Sequence, residues 1–401
     1  MIQNNIIVIN WTRVILILIL VLTVFTSINE FPYPVISISP IYRGLLISAI
    51  LIIGIVFTSN NRSSLLNFDL IEVLLLLRII YYGVIVFFYS SSDYLLNYLA
   101  VVICFLAYSW STNASIEKRF FISWIEFFII ILELQTIIAA IQAHSSGVEL
   151  YLIKTNIVTP IGASNFITTF IVMMFPFVYK WETNKLIKNI ILILSLVFMF
   201  MSRSNSGLIA FAIMLIVIMA IEKRYRILKV AGALSLSSII VYIIDSKYTG
   251  YLSRFINTIR PILTGDIFGD FSATNGRYEL YGNLIHLIRE RPIFGYGFNY
   301  RSLIINELSA HNWILESLVT GGVISLAIYF FCFFYYIESL CKSEKMESHD
   351  KQAFLLSLVF VLLQGLIETS LGSLVFDVVF WIILGQGIRY SKIAYSKKGF
   401  A

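Results

Sequence analysis

Apolar runs long enough to cross a bilayer recur from one end of the chain to the other, and this constrains the fold more than any other feature. A hydrocarbon core of about 30 Å needs roughly 20 apolar residues in a helix. The runs fall at 11–28, 44–59, 69–90, 94–110, 119–141, 161–179, 187–201, 206–221, 228–245, 311–337, 352–369 and 371–388. A transmembrane β-barrel would instead show short alternating segments. The pattern therefore predicts an all-α, polytopic integral membrane protein of about twelve transmembrane helices. Composition agrees, with 59% hydrophobic and 13% charged residues where soluble domains carry about 25% charged. The first run is followed by "NEFPYP" with no small-residue cleavage site, so it reads as a retained span rather than a signal peptide.

The formal charge of +6 tells less than where the charges lie. Counted along the runs, eighteen Lys and Arg fall in segments on the side of the N-terminus, and ten fall on the other side, seven of them in one long loop. Basic short loops stay in the cytoplasm, which places both termini there. Nucleic acid is a poor partner for such a chain, because the basic residues track loops rather than forming a stripe with aromatics. The three cysteines show no CxxC spacing and suggest neither a metal site nor a disulfide framework. Internal repeats are absent, so the whole of 1–401 reads as a single transmembrane domain.

Between spans 9 and 10 lies the one region rich in polar and turn residues, 246–310. A loop of that length carries function or disorder. The apolar spacing of "YELYGNLIHLI" predicts an amphipathic helix on the outer surface. Gly295 and Gly297, after Pro292, predict a tight turn with a special dihedral or a close backbone approach.

Candidate groups gather on the outer side. Arg203, in the short "MSRSNSG" turn, either snorkels to lipid phosphates or clamps a substrate phosphate with its donor fork. Arg277 opens the loop helix and reads equally as a surface charge or a ligand contact. Arg289 and Arg291 flank Glu290 as a solvated helix end or as phosphate contacts. Asn165, in "GASNF", caps span 6 or contacts a ligand. His311 is one of only four histidines; it precedes Asn312 at the entrance to span 10 and is either a structural hydrogen-bonder or a base. Histidine is the side chain suited to accept a proton near neutral pH. His286 lies on the loop helix, and His144 and His349 are expected in loops. Within the apolar runs, Glu72, Arg78, Glu126, Glu133, Gln364, Glu368 and Asp377 need partners or a wet cavity. No GK[ST] loop, HExxH or GxSxG is present.

Five pieces in order, "GASNF", "SRSNSG", "NGRYELY", "RPIFGYGFN" and "HNWILESLVTGGVIS", give the chain a resemblance to the O-antigen ligase and O-antigen polymerase family of bacterial membrane glycosyltransferases. They cover about 165 residues. The resemblance implies a metal-independent, cofactor-free enzyme of the inner membrane with its site on the outer face. It implies an undecaprenyl-diphosphate-linked oligosaccharide donor and acceptor, with a flippase and a chain-length regulator as partners. The implied roles fall on His311 as base and on Arg203 and Arg277 as diphosphate ligands, with Arg289, Arg291, Asn312, Asn165 and Tyr281 as further diphosphate or glycan contacts. The expected activity is polymerisation of repeat units. Transfer to lipid A-core by a ligase, and non-enzymatic transport of a lipid-linked sugar, are the rivals.

Overall fold

The computed structural model describes residues 10–31, 33–59, 68–89, 94–147, 158–181, 184–202, 204–222, 277–304, 309–344, 346–368 and 370–392. Among them are twelve α-helices: α1 Trp11–Val24, α2 Pro40–Ser59, α3 Leu70–Tyr89, α4 Leu95–Asn113, α5 Lys118–Ser145, α6 Ser164–Lys180, α7 Lys185–Ser202, α8 Asn205–Ile221, α9 Arg277–Glu290, α10 Trp313–Lys342, α11 Ser348–Gly365 and α12 Leu374–Lys392. A 3-10 helix, Gly297–Leu303, lies between α9 and α10. The protein is an all-α polytopic membrane protein. Six helices, α2 to α5, α10 and α12, are long and apolar enough to cross a membrane, while α1, α6 and α8 are apolar but shorter. Eleven of the expected spans overlap a helix; the ninth, 228–245, lies outside the described residues.

The helices begin where the sequence supplies caps. Asn10 accepts from Arg13 N, and Ser204 from Gly207 N, at the starts of α1 and α8. At α3, Asp69 and Glu72 bond each other's backbone N–H reciprocally, at 3.0 and 2.8 Å, a capping box that satisfies two orphan donors. Glu72 thus finishes a helix start, with Ser109 Oγ donating to its other oxygen. Glu133 is held similarly, by Ser195 Oγ across α5 and α7, which is interhelical bonding.

Helix α12 is the hub. All fifteen residues from Leu374 to Ile388 are buried, and α12 packs most closely on α4. Gly385 permits this: a Cβ there would meet the Ser111 side chain and the Tyr108 carbonyl. Gln386 Nε2 then donates to Ser111 O and Ala114 O, and Ser111 Oγ donates to Ile382 O. Small residues and polar bonds of this kind bind membrane helices where lipid is as apolar as the core.

Bonds between helix ends sort them onto two faces. On one, Arg13 pairs with Glu117, Lys118 with Asp350, Lys180 with Glu222 and Lys392 with Asp69. All seven described lysines lie at this end. On the other, Arg43 Nη1 donates to Thr26 O and Pro160 O, clamping two short ribbons, Thr26–Ser27 with Ile36–Ser37 and Val158–Thr159 with Gly162–Ala163. The His311 end of α10 and the start of α6 share this second face. His144 and His349 stand in helical end turns, not in loops, because the apolar spacing that ends a span does not mark where its helix stops.

Candidate functional site

His311 is the only non-glycine with positive φ among the described residues, at 50°. A side chain in the left-handed region costs about 1–2 kcal/mol, so neighbouring contacts must hold it. Asn312 supplies one set. Its Oδ1 caps α10, accepting from Ile314 N at 2.9 Å and Leu315 N at 3.2 Å. Its Nδ2 donates to Leu366 O at 3.0 Å, tying the start of α10 to the turn after α11. Two residues on in that turn is Glu368, whose Oε1 lies 3.1 Å from His311 Nδ1. Asn165 Nδ2 donates to the other oxygen of Glu368 at 3.2 Å.

Three helix ends thus converge on one imidazole. The His311 side chain is 28% exposed and that of Glu368 12%, so the pair is partly shielded yet open to the face. When Nδ1–H donates to Glu368, Nε2 keeps its lone pair, and no described residue bonds it. A carboxylate that fixes the tautomer and steadies a developing imidazolium makes histidine an effective base.

Behind the pair, Glu316 on α10 accepts from Ala310 N at 3.0 Å, Arg301 Nη2 at 3.3 Å and the Tyr300 hydroxyl. This staples residues 300–301 and 310 to the helix and fixes the chain entering His311. Burial, then the Glu316 carboxylate, push the Tyr300 hydroxyl above its ordinary range. Burial pushes the Arg301 guanidinium down, but Glu316 and Tyr300 outweigh it and hold the group above its usual value.

The "RPIFGYG" segment docks main chain to main chain against a break in α10. Gly321 and Gly322 leave helical geometry, Gly322 at φ 62°, and a Cβ on Gly322 would collide with Ile293 O. Tyr296 N donates to Val319 O and Val323 N to Pro292 O, both at 2.8 Å. Gly295 at φ 65° and Gly297 at 70° both show the positive dihedral, and Gly295 the close approach as well, since a Cβ there would meet the main chain of Val319 and Thr320. Tyr81 Oη bonds Gly321 O, and Tyr82 Oη bonds Thr320 and Ser325, locking α3 to the same break.

The candidate residues separate on this frame. His311, Asn312 and Asn165 come together around Glu368. Asn165 corrects its capping reading: residue 163 holds the cap position of α6 without a side-chain bond, so Asn165 stands inside the first turn, and its amide donates to Glu368 instead. Tyr281 packs under the loop against the cluster of Leu280, Leu284 and Tyr300. Arg289 is exposed at the end of α9, and Arg291 stacks on Tyr296, 4.5 Å from its ring centre. His286 is exposed and meets Glu290. Arg277 begins α9, with its side chain outside what is described, and Arg203 lies outside the described residues altogether. Glu368 was marked in sequence only as a costly membrane charge; nothing in the chain's spacing tied it to a histidine 57 positions earlier.

A polytopic helical body with a histidine and a carboxylate at one face defines a class, a membrane-embedded protein with a partly exposed imidazole–carboxylate pair at one end. Residues 190–330 match the family model described as O-antigen ligase. The match covers 141 of the 401 residues, and that segment is similar to the O-antigen ligase family. Among curated proteins, no relative matches the chain.

Proposed function

We propose that the protein joins undecaprenyl-diphosphate-linked oligosaccharide repeat units into a longer surface polysaccharide or O-antigen. The observation that carries the reading is the His311–Glu368 pair. In the proposed step, His311 Nε2 takes the proton of an acceptor sugar hydroxyl as its oxygen attacks the anomeric carbon of the donor. The bond from that carbon to the phosphate oxygen breaks with inversion, and undecaprenyl diphosphate leaves with the electron pair. Departing charge needs fixed positive partners, roles proposed for Arg203 and Arg277, with Arg289 and Arg291 as further contacts. Glu368 acts as a positioning residue, holding the imidazole tautomer.

The orientation that supports this reading puts the lysine-rich face in the cytoplasm, following the positive-inside rule, and His311 on the outer face of the inner membrane. A flippase would then supply the donor, and a chain-length regulator would act on the product. The test is reconstitution with a purified lipid-linked repeat unit. A ladder of products is expected from the native protein and none from His311→Ala; a full ladder from that variant overturns the assigned base. Arg203→Lys should fail too if its contact with phosphate is bidentate.

A second reading, ligase transfer of finished glycan to lipid A-core, is favoured by the description of the matched family model. Donor alone and donor plus lipid A-core separate the two, since a ligase makes no ladder from donor alone.

A further inference from the structure

We propose that a pocket beside His311, floored by Arg78, takes the carboxylate of an acidic sugar in the glycan that the protein handles. The proposal rests on the glycosyl-transfer reading for bringing glycan to this face. The pocket, about 390 Å³, is lined from α2, α3, α4, α10, α12 and the 3-10 helix, a size within the roughly 300–1,000 Å³ of small-molecule sites. Ser309 and Trp313, two residues to either side of His311, are part of its wall.

Three guanidiniums line it, of Arg43, Arg78 and Arg301, against one carboxylate, Glu316, which already bonds Arg301. Arg78 is 4% exposed. Among the described residues its sole hydrogen-bond acceptor is the Cys104 thiol, at 3.7 Å, and its Nε is buried with no acceptor. Asp377 makes no hydrogen bond to Arg78 and meets it through that thiol and, at longer range, as a charge; its carboxylate is already engaged by Gly372 N. Arg43 Nε is likewise buried without an acceptor. Burying a guanidinium whose donors meet no carboxylate directly is costly, and an anion arriving in the pocket would take up those donors.

Shape favours a carboxylate on a sugar. The Arg78 guanidinium lies over Tyr329, 4.1 Å from the ring centre, and near Tyr82 at 5.4 Å. These rings occupy its faces and leave its donor edge, which suits a planar two-oxygen acceptor. Phe298 and Trp313 add aromatic surface, and Asn97, Ser317 and Ser373 add polar groups, a mixture that fits sugar faces and hydroxyls better than a lipid tail. Depth argues against the diphosphate. Arg78 stands eleven residues from Tyr89, the end of α3 on the His311 face, about 16 Å along the helix, whereas a polyprenyl diphosphate stays where its tail enters the bilayer.

The full chain in lipid nanodiscs is probed by saturation-transfer NMR with methyl glucuronide, methyl glucoside and inorganic pyrophosphate. Glucuronide is expected to receive magnetisation at least about fivefold more strongly than glucoside. Contact should vanish in Arg78→Met and in Asn97→Phe, which fills the pocket without removing a charge, and persist in His311→Ala. Should Arg78→Met not fold, Asn97→Phe decides alone. Equal contact by the neutral sugar, persistence in the folded variants, or displacement of glucuronide by pyrophosphate overturns the proposal. Because the readout needs no turnover, failure of His311 as base would appear in product ladders and leave this contact unchanged.

Discussion

Lys118 and Asp350, at the lysine-rich end, sit 2.7 Å apart with the carboxylate wholly buried. Midway along α3, in the wall of the pocket beside His311, Arg78 is also buried and among the described residues bonds only a thiol. At the other face the imidazole of His311 spends one nitrogen on Glu368 and leaves the other unbonded. Both ends carry charges inside an apolar body, yet one end uses them to close the structure while the other keeps bonding capacity in reserve. Reserve of that kind costs stability and is found where a ligand completes the set.

Substitutions can break this contrast from either end. The largest effect is expected for His311→Asn, which keeps a residue tolerant of the left-handed backbone but has no basic nitrogen. Product formation should fall about 10²- to 10⁴-fold, with the thermal midpoint of the purified protein little changed. Lys118→Met should do the reverse, costing about 3 kcal/mol of stability by stranding a buried carboxylate while leaving the rate per folded molecule intact. Adding Asp350→Asn to it should recover part of the loss in the same melting measurement. Gly322→Ala, colliding with Ile293 O at a positive φ, should lose about 2–3 kcal/mol and activity together, since it displaces the loop. Glu368→Gln should slow turnover by about tenfold or more through loss of the charge behind the imidazole, with substrate affinity unchanged. Smallest of all, Arg13→Ala removes a pair half exposed on both sides and should shift stability by less than about 1 kcal/mol. Equal effects of Lys118→Met and His311→Asn on melting and rate would erase the distinction between the ends.

Different physical signals made parts of this molecule legible in sequence. Helix positions were readable because apolar length is a local property, and Asn312 was readable as a neighbour of a rare histidine at a span entrance. The hub role of α12 was not, since a helix facing lipid and a helix facing other helices are equally apolar. The partner that Glu368 was expected to need could not be named, and the capping reading of Asn165 failed, for a related reason. A polar group near a span end looks like a cap or a burden until the fold supplies its partner, and here the partners come from α6, α10 and α11. Arg78 was read as a membrane charge needing a partner or a cavity; the structure gives it a cavity wall and two aromatic faces. Glu72 and Glu133, from the same group, found bonded partners.

The seam between "RPIFGYG" and the break in α10 is written almost wholly in main-chain atoms, the bonds running from Tyr296 N and Val323 N to carbonyls. A joint made this way is indifferent to most side chains around it. The loop can therefore exchange its outward side chains without shifting the register of α10 or the position of His311. Under the proposed function, the geometry of the base and the surface that meets substrate are then set by separate parts of the chain.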